Sequence, residues 1–284
     1  MSSLQTQSIK TKLQVKNLSK TYIKNDTSAH AVLSNVNIDI RNGEFVTIVG
    51  PSGCGKTTLL NILSGIESSY AGEILIDGKR VNHSTPDRIV VFQEAALFPW
   101  LTAIENVEFG LQIKGVSKNE RRKIALYYIE MVQLLKFANA YVHQLSGGMK
   151  QRVAIARALA LEPNILLMDE PFAALDIKTR TMLHNQLLQI QKNNNKTILF
   201  VTHNINEAVY LADRVVVLSS KTGNIKKEFI VDLPRPRNLN HPIIESITHA
   251  IIEESKQDIF HGDKRKGEDD EIANPFAKEI TTTL

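Results

Sequence analysis

The stretch Gly50-Pro-Ser-Gly-Cys-Gly-Lys-Thr57 decides the fold of this protein. It fits the pattern G-x-x-x-x-G-K-[ST], in which glycines aim consecutive backbone N–H groups at a polyphosphate. The apolar run 45–49 before it predicts a buried strand, and a helix is expected from about Lys56 onward. The positive end of that helix dipole also favours phosphate. Strand, glycine-rich loop and helix together predict an α/β protein with a phosphate-binding loop.

Two residues of this phosphate loop (residues 50–57) have specific expected roles. Lys56 is expected to reach the β and γ phosphates, and the Thr57 hydroxyl is expected to ligate Mg²⁺, which prefers oxygen ligands. The other residues expected at the nucleotide are Gly50, Pro51, Ser52, Gly53, Cys54, Gly55 and Thr58. A phosphate loop alone does not separate kinases, GTPases and motor ATPases, so other residues must discriminate among them.

The hydrophobic patterns before and after this loop predict how the chain is organised. Short β-branched runs predict a β-rich layer in the first ninety residues, and helical periodicity dominates from about residue 102 to 160. A capping box at Ser117 and Glu120 is expected to start one of these helices. Alternating strands and helices then predict a parallel sheet, with strands at 165–168, 197–201 and 214–218 and helices at 176–192 and 204–212.

We expect four segments along the chain. The nucleotide-binding core with its β layer comprises residues 1–92 and 162–237, and a helical insert comprises residues 93–161. A C-terminal helical extension follows at 238–260, where Ile243, Ile244, Ile247 and Ile251 are expected on one face that docks on the body. Residues 261–284 are expected to be a solvated, disordered tail.

Composition excludes several classes of protein. The 284 residues are 43% hydrophobic and 23% charged, which excludes collagen-like and low-complexity chains. The single cysteine excludes a disulfide framework and a cysteine-rich zinc site, and it fits the cytosol. No run approaches the roughly 18 apolar residues of a membrane span, and no signal-peptide core is recognisable, so a chain that is neither exported nor membrane-spanning is expected. The formal charge of +4 is that of a basic body and an acidic C-terminal tail.

Polar side chains follow three of the predicted strands. Ile165-Leu-Leu-Met-Asp169-Glu170 is an apolar strand that ends in two acids, as when a buried strand delivers a carboxylate to Mg²⁺. Because Glu170 points away from its neighbour, it is expected to polarise the attacking water as general base, while Asp169 lies on the metal side. Gln93 and His203 also follow strands, where both side chains could reach the γ-phosphate.

A second phosphate-binding helix start occurs at Leu145-Ser-Gly-Gly-Met149-Lys-Gln-Arg152. Ser146 is a candidate N-cap, and Gly147 and Gly148 expose backbone N–H groups to an anion. One nucleotide cannot easily use both phosphate-binding segments of one chain. The second segment therefore implies the nucleotide of a partner, and hence a dimer that sandwiches ATP.

With these motifs in this order, residues from about 12 to 235 resemble the ATP-binding subunit of ABC transporters. The resemblance implies a P-loop NTPase fold of the ABC ATPase type, with a mixed or parallel core sheet, an N-terminal antiparallel β layer and an α-helical insert. It implies ATP hydrolysis with Mg²⁺, in which Glu170, His203 and Lys56 are catalytic. It further implies that Tyr22 stacks on adenine and that Asp176 links the two sites of the dimer. The implied Mg²⁺ ligands are Thr57, Gln93 and Asp169, and the residues closing over the partner's γ-phosphate are Ser146, Gly147 and Gly148.

Four segments resemble more narrowly the importers of nitrate, taurine and alkanesulfonates, namely residues 87–102, 106–111, 171–176 and 232–237. This resemblance implies transmembrane permease subunits that contact residues around 94–104, including Leu97, Phe98, Pro99 and Trp100. An alternative is that Phe98 and Trp100 pack inside the helical insert. The resemblance to these importers also implies an external solute-binding protein and a peripheral position on the cytoplasmic face of the membrane. No nucleic-acid partner is expected.

A soluble ABC-type ATPase acting in DNA maintenance is the alternative function, which the basic body supports. Such proteins usually insert long coiled coils, whereas no sustained heptad array separates Gln93 from Leu145. The importer interpretation is therefore favoured.

Overall fold

Ten strands, seven α-helices and two short 3₁₀ helices (Leu135–Phe137 and Val142–Gln144) lie in the part of the chain that a computed structural model describes, residues 10–23, 29–219, 221 and 223–260. The strands are β1 (Thr11–Ile23), β2 (Ala29–Arg41), β3 (Phe45–Val49), β4 (Ala71–Ile76), β5 (Lys79–Arg80), β6 (Arg88–Val91), β7 (Ile165–Asp169), β8 (Thr197–Val201), β9 (Arg214–Leu218) and β10 (Ile225–Ile230). The helices are α1 (Lys56–Ser64), α2 (Ala103–Ile113), α3 (Lys118–Met131), α4 (Gly147–Ala160), α5 (Ile177–Asn194), α6 (Ile205–Leu211) and α7 (Pro242–Phe260).

The central sheet has the strand order β10-β9-β3-β8-β7-β6. Five strands of this sheet, β3, β6, β7, β8 and β9, pair in parallel. The sixth strand, β10, pairs antiparallel with β9. Every residue of β3, β7 and β8 is buried, because both faces of these strands are covered. Since parallel strands end at the same edge of a sheet, the segments after β3, β6, β7 and β8 meet along one edge.

The antiparallel layer is a separate sheet with the order β2-β1-β4-β5. Its inward side chains, such as Leu13, Val36 and Ile40, are fully buried in one cluster with Leu59 and Leu63 of α1. Helix α1 thus contributes to the core that joins this layer to one face of the central sheet. The prediction of an α/β fold with an antiparallel β layer is confirmed.

The helical insert consists of α2, α3 and α4, whose apolar faces join the cluster on the other side of the central sheet. Ser117 caps α3 by accepting from the N–H of Glu120 at 3.4 Å, but Glu120 does not complete the expected capping box. The reciprocal pair of bonds lies instead at the start of α2, between Thr102 and Glu105. Glu120 pairs with Lys123 on the exposed surface of α3.

Helix α7 docks against α6, β9 and β10, as the sequence predicted. Ile244 and Ile251 are fully buried and Ile247 is partly buried, whereas Ile243 is 52% exposed. The expectation for Ile243 is wrong because Ile244, Ile247 and Ile251 define the buried stripe, and Ile243, about 100° around the helix from Ile244, lies at the outer edge of that stripe. No helix among the described residues is both long and apolar enough to cross a membrane. The expected tail, residues 261–284, lies outside the described residues.

Candidate active site

The phosphate loop connects β3 to α1 in a conformation that requires glycine. Gly53 and Gly55 have φ angles of 79° and 98°, in the left-handed region that side chains with a Cβ rarely adopt. A Cβ on Gly50 would lie 2.6 Å from the carbonyl oxygen of Leu218. One on Gly55 would lie 2.7 Å from a methyl of Leu33. The loop therefore presents its backbone at close range, as a phosphate-binding segment must.

The amine of Lys56 lies within the phosphate loop. Its Nζ donates hydrogen bonds of 2.8 Å to the carbonyl oxygens of Gly50 and of Pro51. The Sγ atom of Cys54 is 3.7 Å from the same amine, and burial raises the pKa of that thiol. Cys54 is accordingly a buried, protonated side chain beside this amine, and two carbonyl oxygens of the loop hold the amine in place.

Thr57, which follows Lys56, is hydrogen-bonded to Asp169, the last residue of β7. The Thr57 hydroxyl donates to Oδ2 of Asp169 at 2.7 Å. Burial raises the pKa of Asp169, whose residue is 5% exposed, and the bond from Thr57 opposes that shift. A hydroxyl and a carboxylate in contact are the oxygen donors that fit Mg²⁺. Thr58, the next residue, is the third residue of α1.

Glu170 turns away from Asp169 and contacts His203 instead. Its φ of 44° is unusual for a residue with a side chain, and its N–H donates to the carbonyl oxygen of Val201 at 2.9 Å. Oε2 of Glu170 is hydrogen-bonded to Nδ1 of His203 at 2.8 Å. The Glu170 side chain is 17% exposed and that of His203 is 66% exposed. The ends of β7 and β8 thus bring a carboxylate and an imidazole together.

Gln93 lies at the same edge, two residues after β6, with its side chain exposed. The carbonyl oxygen of the preceding Phe92 accepts a 3.0 Å hydrogen bond from Nε2 of Gln151. Gln151 is 3% exposed and belongs to α4. Sequence reasoning assigned Gln151 no separate role, because it stands between Lys150 and Arg152 in the polar first turns of α4.

The segment predicted to bind a second phosphate forms the start of α4, with Ser146 as its N-cap. Ser146 caps the helix by accepting from the N–H of Met149 at 3.3 Å, and Ser146 and Gly147 are exposed. A Cβ on Gly148 would lie 3.2 Å from the carbonyl oxygen of Ala174, so this helix start packs closely on the segment that leads into α5. A Cβ on Gly147 would meet nothing within 4 Å, so this side of the helix start is open.

Asp176 lies at the end of that same segment and caps α5. Its carboxylate accepts from the N–H of Thr179 at 2.9 Å, and hydrogen bonds from the side chain and backbone of Thr179 lower the pKa of Asp176. The side chain is exposed. Asp176 is therefore an ionised surface group close to the start of α4.

Tyr22 lies near the end of β1, in the antiparallel layer, and is 40% exposed. The ammonium of Lys20 lies 4.5 Å from the centre of its ring and also donates to the carbonyl oxygen of Ser69 at 2.6 Å. Lys20 is held further by Glu67, 3.1 Å away. The ring is thus fixed on the surface of the β layer beside a buried cation.

The segment 94–104 is hydrogen-bonded to α2 and α4 but only partly buried. The side chain of Asn106, fully buried, accepts from the N–H of Phe98 at 2.8 Å and donates to the carbonyl oxygen of Thr102 at 2.9 Å. Phe98 packs on Phe109, with ring centres 4.5 Å apart, whereas Trp100 is 69% exposed. Phe98 therefore packs on the helical insert, and Trp100 presents its apolar surface outward.

A parallel sheet with a phosphate loop after one strand and paired carboxylates after another defines a phosphate-loop nucleoside triphosphatase. Comparisons with known proteins refine this class. Residues 33–173 match the ABC transporter family. An ABC transporter ATP-binding protein of Methanocaldococcus jannaschii is 54% identical over 230 residues, which are 81% of this chain and 86% of that protein. The chain belongs to the family of ABC transporter ATP-binding proteins, and it is an ATPase.

Two further relatives have named solutes. A nitrate import ATP-binding protein of Synechocystis is 47% identical over 81% of this chain and 88% of its own length. An aliphatic sulfonates import ATP-binding protein of Bacillus cereus is 43% identical over 82% of this chain and 92% of its own length. Among solved structures, the dimeric post-hydrolysis state of an ATP-binding cassette bound to ADP and phosphate has a TM-score of 0.72 and 40% identity. That match covers 78% of this chain and 100% of the other.

Proposed function

We propose that this chain is the ATP-hydrolysing subunit that powers a membrane importer for nitrate, taurine, an alkanesulfonate or a related small solute. The solute class is supported by the relatives named for nitrate and aliphatic sulfonate import. The observation that carries the catalytic part is the Glu170–His203 contact of 2.8 Å at the same sheet edge as the phosphate loop. It pairs a base with a group that orients it, the arrangement that activation of a water requires.

In this proposal the phosphate loop and Lys56 hold the polyphosphate, while Glu170 takes the proton of the attacking water. His203 holds Glu170 by their hydrogen bond and positions the γ-phosphate and the water. Mg²⁺, when bound, would neutralise charge on the β and γ phosphates. Thr57, Gln93 and Asp169 would hold it, and the 2.7 Å contact between Thr57 and Asp169 supports this set.

The proposed partner is a second ATP-binding subunit. Ser146, Gly147 and Gly148 would close over the γ-phosphate bound by that partner, and Asp176 would link the two sites. The exposed start of α4 and the dimeric state of the similar solved cassette support this arrangement. Tyr22 would stack on the adenine.

We further propose that transmembrane permease subunits contact residues 94–104 and that an external solute-binding protein delivers the solute. The exposed Trp100, on a segment that Asn106 holds by hydrogen bonds, supplies apolar surface for such contact. The chain would then lie peripherally on the cytoplasmic face of the membrane. The alternative in DNA maintenance is not favoured, because the described helices of the insert have only 11, 14 and 14 residues.

Affinity purification of the tagged chain from detergent-solubilised native membranes, followed by mass spectrometry, tests this function. We expect a stoichiometric multi-span subunit above an untagged control. Reconstituting that complex in liposomes, with the co-purified binding protein, should give ATP-dependent uptake of nitrate, taurine or an alkanesulfonate. A soluble partner or nucleic acid in place of a membrane subunit would contradict the proposal.

A further inference from the structure

A buried polar cluster lies directly behind the contact between Glu170 and His203. Its members are Thr202 directly after β8, His184 of α5 and Glu207 of α6, which are 2%, 8% and 8% exposed. Oε1 of Glu207 is hydrogen-bonded to Nε2 of His184 at 2.8 Å. The Thr202 hydroxyl donates to the other oxygen, Oε2, at 2.6 Å. Three elements of the fold therefore meet at the two oxygens of one carboxylate.

The cluster reaches His203 through the backbone on both sides. Thr202 precedes His203, and its hydroxyl also accepts from the N–H of Asn204 at 3.1 Å. The Asn204 side chain accepts in turn from the N–H of Glu207 at 3.2 Å, and this bond caps the start of α6. Both neighbours of His203 are thus bonded into the cluster, which holds the backbone on either side of the imidazole.

The cluster reaches Glu170 through Phe172, two residues later in the chain. The Phe172 ring, 1% exposed, meets the His184 ring edge-on, with centres 5.0 Å apart and planes at 68°. A cavity of about 60 Å³ between the cluster and the site is lined by Glu170, Phe172, His203 and Glu207, among others. The same cluster therefore supports the segments that carry both members of the proposed catalytic pair.

A buried carboxylate is costly unless it is hydrogen-bonded, and a fully bonded polar cluster specifies a single arrangement of the elements around it. We propose that Glu207 is a positioning residue for ATP hydrolysis, which fixes Glu170 and His203 relative to each other through Thr202 and His184. This inference rests on the roles proposed above for Glu170 and His203. A displacement of about 1 Å at a reacting group can lower a rate by about 10²-fold, so loss of this support should reduce turnover.

Glu207→Met and Glu207→Gln in the full chain test this role. Met has a similar length and no hydrogen-bonding oxygen, whereas Gln can still accept from Thr202 and donate to His184. We expect Glu207→Met to lower kcat at least about 10-fold with the KM for ATP within about threefold, and Glu207→Gln to keep kcat within about threefold of the wild type. This pattern separates positioning from a loss of nucleotide binding.

Glu44→Met is the matched control. The Glu44 side chain is 9% exposed and bonded to Nε of Arg214 at 2.9 Å, but it lies before β3, at the opposite edge of the sheet. It should lose stability without losing kcat. A kcat of Glu207→Met within threefold of that of Glu44→Met would overturn the inference. A loss in Glu207→Gln as large as in Glu207→Met would overturn it too.

Should Glu207→Met fail to fold, as judged by circular dichroism and thermal melting, Thr202→Val and Thr202→Ser carry the same comparison. We expect Val to lower kcat at least about fivefold and Ser to stay within threefold of the wild type, and equal values would refute the role. Glu170→Gln measured alongside separates the two proposals. If it is inactive while Glu207→Met is active, only the positioning role fails, whereas an active Glu170→Gln contradicts the catalytic pair itself.

Discussion

Replacing Glu170 with Gln removes the proposed base and leaves its surroundings almost unchanged. The amide has the same shape as the carboxylate and can keep a hydrogen bond to Nδ1 of His203, now 2.8 Å away. Because the side chain is only 17% exposed and keeps this partner, we expect folding stability to change by no more than about 1 kcal/mol. A general base contributes about 10²- to 10⁴-fold to a rate, which is about 2.7 to 5.4 kcal/mol of activation free energy.

The assay is steady-state phosphate release at saturating ATP and Mg²⁺, together with ATP binding at equilibrium. We expect the hydrolysis rate to fall at least about 100-fold while ATP affinity stays within about threefold. Glu44→Gln, which changes a carboxylate at the opposite edge of the sheet, should hydrolyse ATP at the wild-type rate. A rate for Glu170→Gln within tenfold of the wild type would show that another group takes the proton.

Three further predictions follow from the geometry. Gly55→Ala forces a Cβ into the left-handed region and against the β layer, so urea unfolding should show a loss of about 2–4 kcal/mol, and ATP binding measured by calorimetry should be lost. Ile251→Ala should cost about 2–5 kcal/mol in the same unfolding assay, whereas Ile243→Ala should stay within about 0.5 kcal/mol, and equal losses would mean that α7 docks differently. Trp100→Ala should weaken co-purification of the membrane subunit while leaving ATP hydrolysis by the isolated chain unchanged, and Ile230→Ala, which alters a side chain of similar exposure (71% against 69%) at the opposite edge of the sheet, should weaken neither.

The buried strands of the central sheet could be predicted closely from the sequence. The predicted bounds 197–201 and 214–218 are those of β8 and β9, because both are short apolar runs between polar residues. Strand β10 escaped prediction. It lies at the edge of the sheet, where Lys226, Lys227 and Glu228 interrupt its apolar pattern. The residues of β10 are extended because they are hydrogen-bonded to β9, and their own sequence pattern does not predict a strand.

The candidate site could be predicted wherever a residue follows a buried strand or a glycine-rich turn. Thr57, Asp169, Glu170 and His203 were placed at one sheet edge by this rule, and the structure brings them into two hydrogen-bonded pairs. Gln151 could not be found in this way, since it acts through the carbonyl oxygen of a residue 59 positions away. The proposed roles of Thr57, Asp169, Glu170 and His203 in catalysis remain predictions.

The sequence by itself determined the phosphate loop, the strand-end acids and the family, because these depend on local spacing. Only the tertiary structure decided that Glu170 contacts His203 and that Glu207 joins α5, α6 and β8 behind them. The His184–Glu207 bond joins residues that are 23 positions apart, and the Glu170–His203 bond joins residues that are 33 positions apart. Such bonds depend on strand order and helix packing, which no local pattern encodes. The exposure of Trp100 and Ile243 was settled in the same way, since burial depends on what packs against a side chain and not on its own hydrophobicity.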